Sequence, residues 1–491
     1  MLVSGLVLGA VLGFVMQRGR FCVTGFLRDL FTQRSTRGLI ALLIVISVHA
    51  VGLAALTTAG VITPEYDEFA PVAVIIGGFV FGLGIVLAGG CASGTWYRSG
   101  EGLVGSWIAL FMYGLSAAAM KYGVLEGAAS ALKSQTVPLT TLPATFGTSA
   151  WPFAVALTAL TAWLAVRQLR REFSGPKPAV LKAKKTGLAH LLSEKPWHVY
   201  ATAAIVGTLG VIAWPLSAAT GRNDGLGITT PSANLTSVIV TGNPERFDWG
   251  VLLVVGILVG SFIAAKASGE FRVRVPDATQ SGRSVVGGIF MGVGAALAGG
   301  CTVGNGMVQT SLFSYQGWVA LAAITVGVGV AAKLWLKPAS AQADGGSVAQ
   351  KSVAPRSPRA PHTAESITAV PATDVEDPAP VSFAGTSSTP SFATAPVGLL
   401  ERPVVAKPAG LQELGNGRWG MDSLGAVCPF PLIEAKDAIK RIDVGDELVI
   451  TFDCTQATDA IPRWAAQDGH EITEFEQTDD AGWIITVKRG Q

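Results

Sequence analysis

The sequence predicts an α-helical polytopic membrane protein built from inverted, pseudo-symmetric repeats with broken or re-entrant helices, followed by a small C-terminal α/β domain of βαβα type. Three observations predict it. Of 491 residues, 49% are hydrophobic and only 14% charged, against roughly 25% charged in an ordinary soluble domain. The string Ala-Gly-Gly-Cys occurs at 88–91 and again at 298–301, each time after a glycine-rich apolar run. Beyond about residue 338 the long apolar runs stop, and charge gathers near the C-terminal end.

Apolar spans fall near 2–17, 38–60, 72–90, 103–122, 150–167, 198–219, 249–265, 285–300 and 318–336. A full crossing needs ~20 residues, so 2–17 and 285–300 are short. Met1 leads straight into apolar sequence without a basic n-region, which reads as a first span rather than a cleaved signal peptide. Loop charge sets the orientation. Arg28, Arg34 and Arg37 precede the second span. Arg167, Arg170, Arg171, Lys177, Lys182, Lys184, Lys185 and Lys195 fill the 166–195 loop, and Lys266, Arg272, Arg274 and Arg283 the 266–283 loop. The positive-inside rule makes all three cytoplasmic. Nine crossings from an outside N-terminus satisfy these assignments and leave the C-terminus in the cytoplasm.

Several function classes drop out. A net charge of +2 does not point to nucleic acid. No zinc spacing, phosphate-loop lysine or H-E-x-x-H occurs, so no metal, cofactor or ATP-driven step is expected. The five cysteines, Cys22, Cys91, Cys301, Cys428 and Cys454, form no C-x-x-C pair and are odd in number. They read as individually acting thiols rather than a disulfide framework.

Domain organisation follows composition. Residues 1–337 form the membrane part. Residues 338–410 are rich in Ala, Pro, Ser and Thr and read as a flexible linker that cannot bury a core. Residues 411–491 regain globular composition and suffice for one small domain.

Within the membrane part, "IGGFVFGLGIVLAGGCASG" (76–94) aligns over "VGGIFMGVGAALAGGCTVG" (286–304), with glycine matched at four places before the Leu-Ala-Gly-Gly-Cys string and again three residues after the cysteine. A weaker echo pairs 8–16 with 255–263 through Gly9/Gly256 and Gly13/Gly260. On the nine-span topology the helices entering the two Gly-Gly-Cys strings run in opposite directions, the pattern of an inverted repeat, in which glycine-interrupted segments mark the transport site. Glycines such as Gly82 and Gly292 equally suit close helix packing. Gly89-Gly90 and Gly299-Gly300 are read as helix breaks that aim Cys91 and Cys301 into a protein-lined cavity. Cys22 lies in a third polar interruption, "QRGRFCVTGFLRD", and has no cysteine counterpart in the second half, where Gly269 falls at the aligned place.

In a low-dielectric site these thiols stay protonated, and a neutral, polarisable S–H can pass a soft anion along without repelling it. Backbone N–H groups at the half-helix starts supply positive potential. Arg18 and Arg20 either widen the anion's access or simply fix topology. Asn305 and Gln309 either contact substrate oxygens or serve interhelical hydrogen bonding. Arg98, Glu101 and Lys121 are further charged groups near the span ends.

"RGRFC" around Cys22 and the two Gly-Gly-Cys strings resemble the YeeE/YedE family of bacterial membrane proteins over residues 1–337. The resemblance implies thiosulfate uptake, with cysteines at these three motif positions passing the anion by S–H···S contacts. Members linked to selenium handling leave the cargo open. In the C-terminal region, Asp422, Gly425, Cys428, Pro429 and Pro431 match D-x-x-G-x-x-C-P-x-P, and the segment resembles TusA/SirA-like sulfur carriers. That resemblance implies that Cys428 is the sulfur-accepting, catalytic thiol and that cytoplasmic sulfurtransferases are partners. Cys454 has no role in this reading. The combined expectation is a thiosulfate importer, primarily a transporter, fused to its own carrier. The alternatives are a membrane-anchored sulfurtransferase and a transporter of another sulfur or selenium oxyanion.

Overall fold

The computed structural model describes residues 1–66, 68–183, 185–336, 411–478 and 482–490. The expected linker, 338–410, lies outside the described residues. The membrane part and the C-terminal domain belong to one compact unit.

Each expected span falls on a helix. The first half holds α1 (Val3–Arg18), α2 (Val23–Thr32), α3 (Arg37–Thr58), α4 (Pro71–Leu87), α5 (Ala92–Gly100) and α6 (Val104–Tyr122). Short helices α7 (Glu126–Lys133) and α8 (Leu142–Thr145) lead to the long α9 (Trp151–Ser174), and α10 (Gly187–Ser193) leads on to the second half. That half holds α11 (Val199–Ala218), α12 (Thr229–Thr241), α13 (Trp249–Ser268), α14 (Ala278–Leu297) and α15 (Tyr315–Trp335). Among the described residues, eight segments are long and apolar enough to cross a membrane, with α1–α2 and α4–α5 each counting as one. The ninth expected span is α14. It reaches 20 residues by adding a polar first turn that Asp277 caps by accepting from Gln280 N.

Helix contacts repeat with the offset that aligns the two Gly-Gly-Cys strings. A Cβ at Gly77 of α4 would lie 2.5 Å from Ala298 N and 2.7 Å from Gly294 O. One at Gly287 of α14 would lie 2.5 Å from Ala88 N and 2.9 Å from Gly84 O. Gly84 meets Met291 as Gly294 meets Phe81, and Gly82 meets Ile324 of α15 as Gly292 meets Tyr113 of α6. Residue numbers rise on α4 as they fall on α14, so the two helices cross antiparallel about a local two-fold. Lipid gives helices no hydrophobic reason to associate, so small residues that let backbones approach hold such a pair together.

The weaker echo does not belong to this symmetry. Along α1 and α13, Gly5 faces Trp249, Gly9 faces Leu253 and Gly13 faces Ile257, so these helices run parallel. Their shared glycines are the two sides of one close packing seam. Positional equivalence instead pairs α1–α2 with α11–α12 and α3 with α13, since α1 packs on α13 as α11 packs on α3, and α2 packs on α15 as α12 packs on α6. Cys22, at the N-cap of α2, therefore corresponds to Ile228, at the N-cap of α12, and not to Gly269.

The C-terminal domain extends the expected βαβα pattern to a five-stranded sheet. Its strands β1 (Gln412–Gly415), β2 (Arg418–Ser423), β3 (Glu447–Phe452), β4 (Glu471–Gln477) and β5 (Trp483–Lys488) lie in the order β1-β2-β3-β5-β4. Strands β2 and β3 pair in parallel, which requires the crossover helix Phe430–Ala438 between them. On β3, Leu448, Ile450 and Phe452 point into a core shared with Leu432, Ile461, Trp464 and Trp483. The second helix, Ala457–Gln467, completes the layer.

Candidate functional site

Both predicted breaks are present. Gly89 (φ +71°) and Gly299 (φ +77°) end α4 and α14 in left-handed conformations that a side chain resists. Gly90 and Gly300 follow, and the chain then resumes as α5 in the first half and as a π-helical turn, Gly304–Gln309, in the second. All three membrane cysteines are free and fully buried.

The structure brings Cys22 and Cys91 together. A Cβ at Gly94 would sit 3.3 Å from Cys91 Sγ and 3.6 Å from Cys22 Sγ, so both sulfurs border one point. Arg98 joins them. Its Nη2 donates to Cys22 Sγ at 3.7 Å, and its Nη1 donates to the carbonyl of Gly89. A buried guanidinium therefore braces the first break and faces its thiol pair. Cys301 is held apart from this pair. Its Sγ accepts from Val303 N at 3.4 Å and contacts the Tyr113 hydroxyl, which donates to Thr229 Oγ1 at 2.9 Å.

The supporting residues divide. Asn305 Nδ2 donates to Ala298 O at 2.8 Å and Gly300 O at 2.9 Å, and Gln316 Nε2 donates to Asn305 Oδ1 at 3.0 Å. Asn305 thus braces the second break, and its donors are occupied. The structure places the backbone of Gln309 against Gly317 at the far end of the turn. Arg18 and Arg20 both pair with Glu270, at 3.5 Å and 3.1 Å, and Arg18 also donates to Lys195 O. Gln17 donates to the same carboxylate at 2.6 Å. These arginines tie the end of α1 to the loop after α13.

Cys428 lies at the start of the helix Phe430–Ala438, as its motif predicts. Asp422 accepts from Leu424 N at 3.0 Å, and Gly425 takes φ +78°. Gly425 N donates to Asp453 Oδ1 at 3.0 Å. That bond clamps the loop after β2 to the loop after β3, where Cys454 stands. Cys428 and Cys454 form a disulfide, with Cα atoms 6.4 Å apart. The expectation of no disulfide is corrected here. Sequence spacing could not show the pair, because the cysteines follow the carboxyl ends of two neighbouring parallel strands that the crossover helix separates along the chain.

The domain docks on the face that carries the basic loops. Arg274 pairs with Asp453 at 3.6 Å, Arg37 with Asp459 at 3.3 Å, and Gln477 donates to Gly269 O at 3.3 Å. Cavities open between the two parts, and two of them reach Cys428 from the thiol and arginine sites. One runs from Arg98 and Glu101 to Cys428 and Cys454. The other runs from Cys22, Arg20 and Arg28 to Cys428. In the first, Glu101 sits in the turn between α5 and α6. Burial pushes its carboxyl up to about 7, against the pull of Arg274, and its Oε1 finds no hydrogen-bond partner.

Sequence reasoning underrated Arg98 and missed Gln316, Tyr113 and Cys454. Arg98 had a usable signal: it stands seven residues after Cys91, which returns it to the same face of a helix.

Residues 18–330 match the family described as sulphur transport, and residues 421–489 the family described as sulfurtransferase TusA. The chain is 50% identical over 336 residues to the thiosulfate transporter TsuA of Escherichia coli, covering 68% of this chain and 94% of that protein. It is 33% identical over 323 residues to the thiosulfate transporter TsuA of Spirochaeta thermophila, covering 65% and 94%. Over 69 residues it is 61% identical to the putative sulfur carrier protein TsuB of Escherichia coli, covering 14% and 92%.

Proposed function

The chain belongs to the sulphur-transport family, with a TusA-type domain behind its membrane part, and on that premise we propose that it imports thiosulfate and hands its sulfane sulfur to Cys428. The basic loops and the docked domain share one face, which the positive-inside rule assigns to the cytoplasm of a bacterial inner membrane. The observation that carries the reading is that Cys428 lines both cavities, one reaching Cys22 and the other Arg98.

Thiosulfate meets neutral thiols at Cys301, Cys91 and Cys22 in turn, with Arg98 compensating its charge near the inner end. A desolvated anion needs such compensation, and a guanidinium suits the oxygens of a sulfonate group. At the mouth, Cys428 thiolate attacks the sulfane sulfur: Cys428–S⁻ + S₂O₃²⁻ → Cys428–S–S⁻ + SO₃²⁻. The S–SO₃ bond breaks as the Cys–S bond forms, and sulfite carries off the electron pair. The N-terminus of the following helix favours the thiolate. Acceptance starts from the reduced form of the Cys428–Cys454 pair. Tethering through the 338–410 segment keeps the carrier at high effective concentration.

Vesicle uptake of sulfur-labelled thiosulfate tests the relay. Cys91→Ala is expected to slow uptake about tenfold to a hundredfold, the equivalent of one lost contact of ~1–3 kcal/mol. Unimpaired uptake in that variant overturns the relay. Competition by selenite or sulfite in the same assay decides the cargo. Uptake by residues 1–337 alone separates a transporter from a membrane-anchored sulfurtransferase.

A further inference from the structure

We propose that Cys454 is a second catalytic thiol, which resolves the persulfide on Cys428 and releases its sulfur as sulfide. The inference rests on the reading that Cys428 accepts sulfane sulfur, and it changes the product of the C-terminal domain from a carried persulfide to free sulfide.

Four observations support it. The two cysteines are within bonding reach of each other, with Cα atoms 6.4 Å apart, inside the range that disulfides occupy. The Gly425 N to Asp453 Oδ1 bond at 3.0 Å holds the loop of one against the loop of the other. Asp453 is in turn paired with Arg274 of the membrane part, at 3.6 Å, so the docked state keeps both thiols at the mouth. Both sulfurs face the same cavity as Arg98 and Glu101.

The chemistry balances. Cys454–SH gives its proton to the outgoing sulfur as its own sulfur bonds to Cys428: Cys428–S–S⁻ + Cys454–SH → Cys428–S–S–Cys454 + HS⁻. The S–S bond of the persulfide breaks and the protein disulfide forms. The two cysteines are oxidised by two electrons together, and the sulfane sulfur is reduced by the same two. The disulfide seen here is the product of that step. A further turnover needs a dithiol reductant, which takes the disulfide back to two thiols and becomes a disulfide itself.

The test is a single turnover of the full chain in detergent. The chain is reduced, freed of reductant and given thiosulfate, and then sulfite, sulfide and the mass of the chain are read. Wild type is expected to release one sulfite and one sulfide per chain and to end as a Cys428–Cys454 disulfide, visible as a cross-linked peptide. Cys454→Ser is expected to stop at the persulfide: it releases sulfite, gains the mass of one sulfur atom, and forms sulfide at least about tenfold more slowly. Sulfite release by this variant also shows that its domain is folded. Two results overturn the inference: sulfide from Cys454→Ser as fast as from wild type, or wild type that ends as a persulfide without sulfide. Wild type that releases neither product overturns acceptance by Cys428 as well, and is distinguished by the missing sulfite.

Discussion

The two Gly-Gly-Cys breaks share a sequence string and a backbone bend but not a chemistry. At the first, the carbonyl of Gly89 is held by the guanidinium of Arg98, which also reaches Cys22. At the second, the carbonyls of Ala298 and Gly300 are held by the neutral amides of Asn305 and Gln316. By the repeat offset, Val308 stands where Arg98 does and Ser311 where Glu101 does. The first break also carries a docked domain, with Val427 against Gly89. The two breaks thus share a left-handed glycine and differ in the side chains that brace them. Of the two breaks, only the one beside the docked domain carries a charged side chain on its carbonyl.

The largest effect should come from removing that charge. Arg98→Gln is expected to cut vesicle uptake a hundredfold or more and to cost about 3 kcal/mol of stability, the upper end for a buried hydrogen bond from a charged donor. Asn305→Ala at the second break should cost about 1–3 kcal/mol for carbonyls left unpaired, with uptake slowed less than tenfold. Equal losses would show that charge is not what separates the breaks.

Next comes pH. Burial raises Glu101 to about 7 from the usual 4.5, so the folded chain holds a proton that the unfolded chain has lost. The stability this confers is complete below pH 4.5 and disappears as pH rises through 7. Wild type should lose on the order of 3 kcal/mol across that window. Glu101→Gln should flatten the loss, so its melting-temperature advantage grows from pH 5 to pH 8. A constant difference would remove Glu101 from the comparison.

Gly89→Ala and Gly299→Ala each impose a positive φ on alanine, worth about 1–2 kcal/mol. At Gly89 the new Cβ also lies 2.8 Å from Val427 Cγ1. Its cost should therefore fall when the chain is cut after residue 337, while that of Gly299→Ala should not change. Melts of the four variants read this directly. The smallest effect belongs to Asp459→Asn, which removes half-exposed ion pairs to Arg37 and Arg463. A loss below about 1 kcal/mol, vanishing in high salt, is expected.

Much of this was legible in residue order. Positive-φ glycines, the three membrane thiols and the Asp422–Pro431 signature are local patterns, and the structure reproduces each one. The echo between α1 and α13 misled because one glycine spacing serves two ends. It marks repeated ancestry in the α4/α14 pair and a packing seam in α1/α13, and only the direction of approach separates them. Arg18 and Arg20 look free in sequence because their partner, Glu270, is some 250 residues away.

By itself, the sequence determined where helices run, where they break, and which thiols stand at the breaks, because spans, glycines and motif loops act over a few residues. Tertiary structure alone decided that Cys22 meets Cys91 while Cys301 meets Tyr113, that Arg98 is shared by a carbonyl and a thiol, and that Cys428 bonds to Cys454. Those contacts join residues brought near only when helices cross and strands pair, and no spacing along the chain encodes which of several buried polar groups will satisfy another.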